Sequence, residues 1–363
     1  MKFLFFLLVS FLVSSNLFAQ LRPGYDFNEA REFLKINFQF IDSAYLDSVP
    51  APQKFYRTFR SKELGFDNSV DFWMSDDGEV ACLSFRGTTG TLESWGSNFY
   101  SSMIPAKGTI GLPDGYQFQY AFAQDPLAAV HEGWTISIAY LWRDIDSLLH
   151  DFVAKGGRDL VIAGHSQGGA LATLVAAQLH QLKLQGKLPE DLRLKTYTVA
   201  APKTGNLFFA YDYEHLTQFG WSFNTVNPLD WVPTTPFTIT TVRDFNRINP
   251  FTNALKSLNA LPLVPQMYVK HAYRKMDRPT RRSQKNFEKY LGKRLKKLLI
   301  KKKQGLTIPR SVKSFAYVRV GQQIMLQPDA NYLEMFPQVE NDYFLNHGIE
   351  QYLFLINLLE ESN

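Results

Sequence analysis

Cysteine is almost missing from this chain: Cys82 is the only one in 363 residues. A single thiol cannot close an internal disulfide, so the fold must be held by packing alone. Its setting, Val80-Ala81-Cys82-Leu83-Ser84-Phe85, reads as a buried strand and argues against a catalytic cysteine. Long apolar runs are equally scarce. The one candidate, Phe3 to Val13, follows Met1-Lys2 and leads through Ser14-Ser15-Asn16-Leu17-Phe18-Ala19 to Gln20. One positive charge, a short apolar stretch and a small residue at the cut site describe a secretory signal peptide over residues 1–19, cleaved after Ala19. The stretch is short for an uncleaved membrane anchor, and no cysteine follows it to carry a lipoprotein anchor. Export to a secreted or periplasmic location is therefore expected. No internal repeat and no low-complexity linker divides residues 20–363, so one domain is expected there, with 15% aromatic residues to fill its core.

What is present starts with Gly164-His165-Ser166-Gln167-Gly168, preceded by Leu160-Val161-Ile162-Ala163 and followed by Gly169-Ala170-Leu171-Ala172-Thr173-Leu174. A serine between glycines, where a buried strand turns abruptly into a helix, is held in a strained turn with its hydroxyl exposed. Gly164 and Gly168 remove side chains that would collide as the helix doubles back. This is a nucleophile elbow by context as well as by pattern.

Short runs rich in β-branched and aromatic residues read as strands at Val80 to Phe85, Leu160 to Ala163, Thr196 to Val199 and Trp221 to Val226. Between them the apolar spacing predicts helices over Thr135 to Val153 and Gly169 to Leu184. Strands alternating with helices imply a mostly parallel central sheet with helices on both faces, the α/β-hydrolase architecture that hosts such an elbow.

A serine needs a base, and the base needs an acid to orient it. In such a sheet they follow the nucleophile in the order serine, acid, histidine. His131, His150 and His165 precede Ser166, and His180 and His215 precede the best acid. His271 and His347 remain. His271 lies in a basic segment that would oppose an imidazolium, whereas His347 stands on a loop entering a helix expected over Ile349 to Leu358, so His347 is preferred. The acid is Asp230 in Asn227-Pro228-Leu229-Asp230-Trp231-Val232-Pro233, at a strand end and between stiffening prolines. A turn aspartate is the plainer alternative. For the oxyanion, one donor should be the Gln167 N–H after the nucleophile, and a second the Thr88 N–H or hydroxyl in Arg86-Gly87-Thr88.

At these residues the sequence resembles the class 3, fungal-type lipases of the α/β-hydrolase superfamily. Phe85-Arg86-Gly87-Thr88 resembles their F-R-G-[ST], His131-Glu132-Gly133-Trp134 their H-x-G-[FW], and Ala200-Ala201-Pro202-Lys203-Thr204-Gly205-Asn206 their G-A-P-R-x-G-N. The elbow matches, and Asn227 to Pro233 resembles N-x-x-D-x-V-P. The resemblance runs from about Val80 to Pro233 and resumes at His347. It implies a Ser166/Asp230/His347 triad, an oxyanion hole at Thr88 and Gln167, and a lid helix with Trp95 as its tryptophan. Ser94 and Asn98 replace the Asn and Asp of the family's N-W-x-x-D, and Gly90 and Gly96 weaken the expected lid helix.

The gap from Asp230 to His347 is long for the family and holds a basic insertion at about 243–313. From Lys270 to Lys313 there are 17 lysines and arginines against two acidic residues, in a chain whose net charge is +5, so the remainder is acidic. Phe287, Leu291, Leu295 and Leu298 recur at helical spacing beside Lys296, Lys297, Lys301 and Lys302. The pattern fits a helix lying on an anionic membrane surface, or a solvated helix packing its leucines on the body. No recognised nucleic-acid motif is present, and nucleic acid is not an expected partner.

The expectation is an exported serine carboxylic-ester hydrolase, a lipase acting on acylglycerols or related lipid esters, with no metal or organic cofactor. The alternatives are a phospholipase A1, a soluble or feruloyl-type esterase, and a membrane-binding protein on an inactive hydrolase scaffold.

Overall fold

A computed structural model describes residues 21–40, 50–246, 248–249, 259, 262–301 and 303–362. The leader expected over residues 1–19, and Lys302, lie outside them. Among the described residues the strands are β1 Phe55–Arg60, β2 Val70–Ser75, β3 Val80–Phe85, β4 Met103–Pro105, β5 Lys107–Gly111, β6 Gln117–Ala121, β7 Ala129–His131, β8 Asp159–His165, β9 Arg193–Val199, β10 Ser222–Val226 and β11 Gln322–Met325.

Seven of them form one sheet in the order β1-β2-β3-β8-β9-β10-β11. From β3 to β11 every pairing is parallel, while β1 and β2 add antiparallel pairings at one edge. The strand period of two divides β8 between two cores: Leu160 and Ile162 point into one, Val161 and Ala163 into the other. The first core is covered by the helices Glu132–Ala154 and Gln167–Leu184, together with residues of Leu207–Thr217. On the opposite face lies Phe27–Asn37, capped by the Asp26 carboxylate, which accepts from the Asn28 and Glu29 amides. Its Leu34 packs with Tyr352, Leu355 and Ile356 of the helix Ile349–Glu361, and Arg31 pairs with Glu360 at 2.5 Å. Covering both faces of a parallel sheet gives the α/β-hydrolase architecture. The four expected strands and the helices flanking the elbow are all present, with ends shifted by a few residues. Cys82 is fully buried, and burial pushes its thiol pKa up, so it stays protonated and inert.

The basic insertion folds as a helix Leu263–Phe287, a π-helical turn Glu288–Arg294 and a short helix Leu295–Ile300. The expected stripe is corrected at its end: Leu299 is buried, while Leu298 is 62% exposed. A π turn carries more than 3.6 residues and so shifts the phase of the helix on its C-terminal side. The turn also brings Gly292 against the body, where a Cβ would sit 2.2 Å from Ser102 Oγ. Leu295, Leu299 and Ile300 join the main core, which favours the body-packing reading for this stretch.

Candidate active site

Ser166 links β8 to the helix Gln167–Leu184 with φ +59° and ψ −130°, a left-handed conformation rarely occupied by a residue with a side chain. The surrounding glycines show what makes this turn possible. A Cβ on Gly164 would lie 2.2 Å from the Gly168 carbonyl oxygen, and one on Gly168 would lie 2.1 Å from that of Phe85. Strand, helix and the end of β3 therefore approach to backbone contact, as the elbow requires.

The structure brings together the two residues expected as acid and base, Asp230 and His347. Asp230 follows β10 and is buried; its Oδ2 lies 2.6 Å from His347 Nδ1, and its Oδ1 accepts from the Val232 amide at 3.0 Å. With Nδ1 donating to the carboxylate, Nε2 is left as the basic nitrogen. Ser166 and His347 open onto the same cavity of about 980 Å³, and the rings of His165 and His347 lie 4.3 Å apart between centroids. Burial together with the charge of His347 pushes the His165 pKa well below the ordinary histidine range, so it adds no competing cation. Burial also lowers His131 to about 3 and His180 to about 4. His271 is exposed on the basic helix and is not part of the cavity wall.

Tyr352, one turn into the C-terminal helix, was not singled out by sequence reasoning. Its hydroxyl donates to Asp230 Oδ2 at 2.9 Å, on the same oxygen that holds His347. Burial, with the negative charge of Asp230, raises its pKa, so it remains a donor. Tyr352 also accepts from the Asn227 amide, tying the acid loop to the helix that seats the base.

Thr88 and Gln167, the expected oxyanion donors, lie in the cavity wall together with Gly87. Gly87 passes the elbow closely: a Cβ there would be 3.3 Å from the His165 carbonyl oxygen. Thr88 Oγ1 accepts from Asn98 Nδ2 at 2.9 Å, while Asn98 Oδ1 accepts from Trp134 Nε1 at 2.9 Å. The indole fixes which way the amide faces, and Thr88 is left with its own hydroxyl proton to donate. Asn98 is thus a positioning residue. The only signal for it was its place in the family's N-W-x-x-D pattern.

The weakened lid helix is corrected. Leu92–Phe99 is helical, with the Thr91 hydroxyl accepting from the Ser94 amide as its cap. Gly96 is needed for close packing, since a Cβ there would fall 2.6 Å from a Leu299 methyl. Ser94 and Ser97 are buried and bonded to the Gln167 side chain, at 3.3 and 2.8 Å. Trp95 lines the cavity against Phe99 and Phe344.

The insertion is anchored beside this helix by charge. Glu132 is fully buried and accepts from Lys296 Nζ at 3.0 Å, Ser311 Oγ at 3.1 Å and the Tyr100 hydroxyl. Lys296 is therefore turned inward and corrected as a membrane-surface residue, while Lys297 and Lys301 remain exposed. Lys296→Met would leave a buried carboxylate without its cation. Because Lys296 is 38% exposed and two hydroxyl donors remain, the expected loss is at the low end for a broken buried pair, about 3 kcal/mol in urea unfolding. Lys297→Met should stay within about 0.5 kcal/mol. Equal unfolding midpoints for the two variants would remove the anchoring role.

Residues 82–240 match the family described as Lipase (class 3). Phospholipase A1-Ialpha2, chloroplastic, of Arabidopsis thaliana is 28% identical over 143 residues, 37% of this chain and 28% of that protein. Lipase ZK262.3 of Caenorhabditis elegans is 35% identical over 78 residues, 22% of this chain and 20% of that protein. The matched stretch thus spans about a quarter of the length of these curated relatives. Among solved structures, a fungal lipase–inhibitor complex is similar at 20% identity, covering 59% of this chain and 77% of its own, with a TM-score of 0.45. The match to class 3 lipases thus covers residues 82–240, under half of the chain, and the elbow and sheet order around them are those of the α/β-hydrolase fold.

Proposed function

We propose that this protein is an exported serine carboxylic-ester hydrolase that cleaves acylglycerols or related lipid esters at a lipid surface. The observation that carries the reading is the cavity: Ser166 and His347 sit in a space of about 980 Å³ whose walls include Phe38, Phe40, Trp95, Trp231, Phe237 and Phe344. Aromatic and aliphatic walls suit an acyl chain, and Thr88, Ser166, Gln167 and His347 in the same wall supply polar groups for an ester carbonyl.

Ser166 Oγ attacks that carbonyl while His347 Nε2 takes the hydroxyl proton. Asp230 steadies the imidazolium, and Thr88 and the Gln167 N–H hold the oxyanion. Collapse expels the alcohol, which takes the proton from His347. Water then repeats the sequence on the acyl-enzyme, releasing the carboxylic acid and free Ser166. Export rests on the leader read in residues 1–19.

Phospholipase A1 activity is the second reading, favoured by the basic insertion beside the cavity and by the name of the Arabidopsis relative. A panel of esters from short to long acyl chains, with phospholipid included, tests both readings below and above the concentration at which substrate forms an interface. A lipase should gain turnover on long chains once the interface forms. Activity confined to short soluble esters would instead indicate an esterase, and failure to react with a fluorophosphonate would indicate an inactive scaffold.

A further inference from the structure

The helix Leu263–Phe287 stands out because it is scarcely packed: of its 25 residues only Gln284 is buried. Its exposed residues are ordered. Val264, Tyr268, His271, Lys275, Arg278 and Arg282 recur at spacings of four and three, so they share one face, and all are exposed. The first turns of that face are apolar, with Val264 77% and Tyr268 75% exposed, and Leu263 and Met267 beside them. The later turns are cationic. There Arg274, Arg278, Arg282 and Lys285 border a shallow surface depression, and the one acidic residue in it, Asp277, is already engaged by Arg281 at 2.7 Å.

The helix ends beside the cavity. Phe287, on the body side of the helix end, packs edge-to-face on Phe237, 5.9 Å between centroids, and Phe237 lines the cavity with Leu291. An apolar end able to enter the acyl region, a cationic run able to meet phosphates, and a helix end placed beside the cavity that holds Ser166 fit one occupant.

We propose that the helix Leu263–Phe287 docks this protein on anionic phospholipid bilayers, Val264 and Tyr268 entering the interface and Lys275, Arg278 and Arg282 contacting headgroup phosphates. The docking stands on the helix alone; its consequence, delivery of lipid esters from anionic surfaces to Ser166, rests on the function proposed above. Helical spacing in the sequence places this contact around Lys296 to Lys302. The exposed surface lies instead on the preceding helix.

The test measures sedimentation of the full chain with phosphatidylcholine vesicles, with or without one third phosphatidylglycerol. Binding to the anionic vesicles should be at least ~10-fold tighter and should weaken with added salt. Arg274→Gln, Lys275→Gln, Arg278→Gln and Arg282→Gln combined should abolish that preference while leaving turnover of a water-soluble short-chain ester unchanged. Tyr268→Cys carrying an environment-sensitive dye reports insertion in a chain with all its charges, since the other thiol, Cys82, is buried. Its emission should shift to the blue on anionic vesicles only. Equal binding to both vesicles, full binding by the charge variant, an unshifted dye, or tight binding to heparin without binding to vesicles would each overturn the proposal. Ser166→Ala should bind vesicles like the parent, so docking and catalysis fail or succeed separately.

Discussion

Ser166→Ala is expected to lower kcat on a soluble ester by about 10⁶-fold, because only the elbow hydroxyl can form the acyl-enzyme. His347→Ala should cost nearly as much. The double variant should be no worse than either alone, since nucleophile and base act as one unit. Fluorophosphonate labelling should vanish with Ser166→Ala, while urea unfolding stays close to that of the parent. Turnover within tenfold of the parent after removal of Ser166 would exclude this serine as the nucleophile. His271→Ala, which alters an exposed position away from the cavity, should retain nearly full activity on the same ester.

Gly168→Ala should be as damaging to the fold as Ser166→Ala is to the chemistry. Its added Cβ would press 2.1 Å from the Phe85 carbonyl oxygen and 3.1 Å from the Arg86 carbonyl carbon. Both atoms belong to backbone at the end of β3, which cannot swing aside as a side chain would. Relief requires moving the helix from the strand or displacing the loop that carries Thr88. A loss of about 4 kcal/mol or more is expected in urea unfolding, with activity falling along with it. Gly90→Ala is the matched control: nothing lies within 4 Å of its added Cβ, and its backbone is not left-handed. It should stay within about 0.5 kcal/mol. Similar unfolding curves for the two variants would show that the elbow tolerates a wider turn than its geometry implies.

The elbow, the acid loop and the base were legible because each is a local pattern whose chemistry depends on near neighbours. Gly164, Ser166 and Gly168 announce a strand turning into a helix within five residues, and chain order left only His271 and His347, between which the basic surroundings of His271 decided. The helix Leu92–Phe99 was harder to read. Gly96 looks like a helix breaker until its partner Leu299 is known, and that partner lies far along the chain. The same distance hid Glu132 from Lys296, 164 residues apart. The choice of Leu299 over Leu298 depended on a π turn that strict helical spacing does not anticipate. Edge strand β1 mixes aromatic residues with arginine and threonine on a largely exposed surface, and β11 is four residues long and half polar, so neither carries the apolar run that marked the inner strands.

The pairing of Phe27–Asn37 with Ile349–Glu361 bears on synthesis. Ser166 and its glycines leave the ribosome long before His347, and the helix that seats His347 closes against a segment made near the start. Until that closure, Asp230 lacks both the imidazole and the Tyr352 hydroxyl that it holds in the finished molecule. On the proposed mechanism a chain still being made therefore carries its nucleophile without its base, and ester cleavage would begin only after the two distant helices have met.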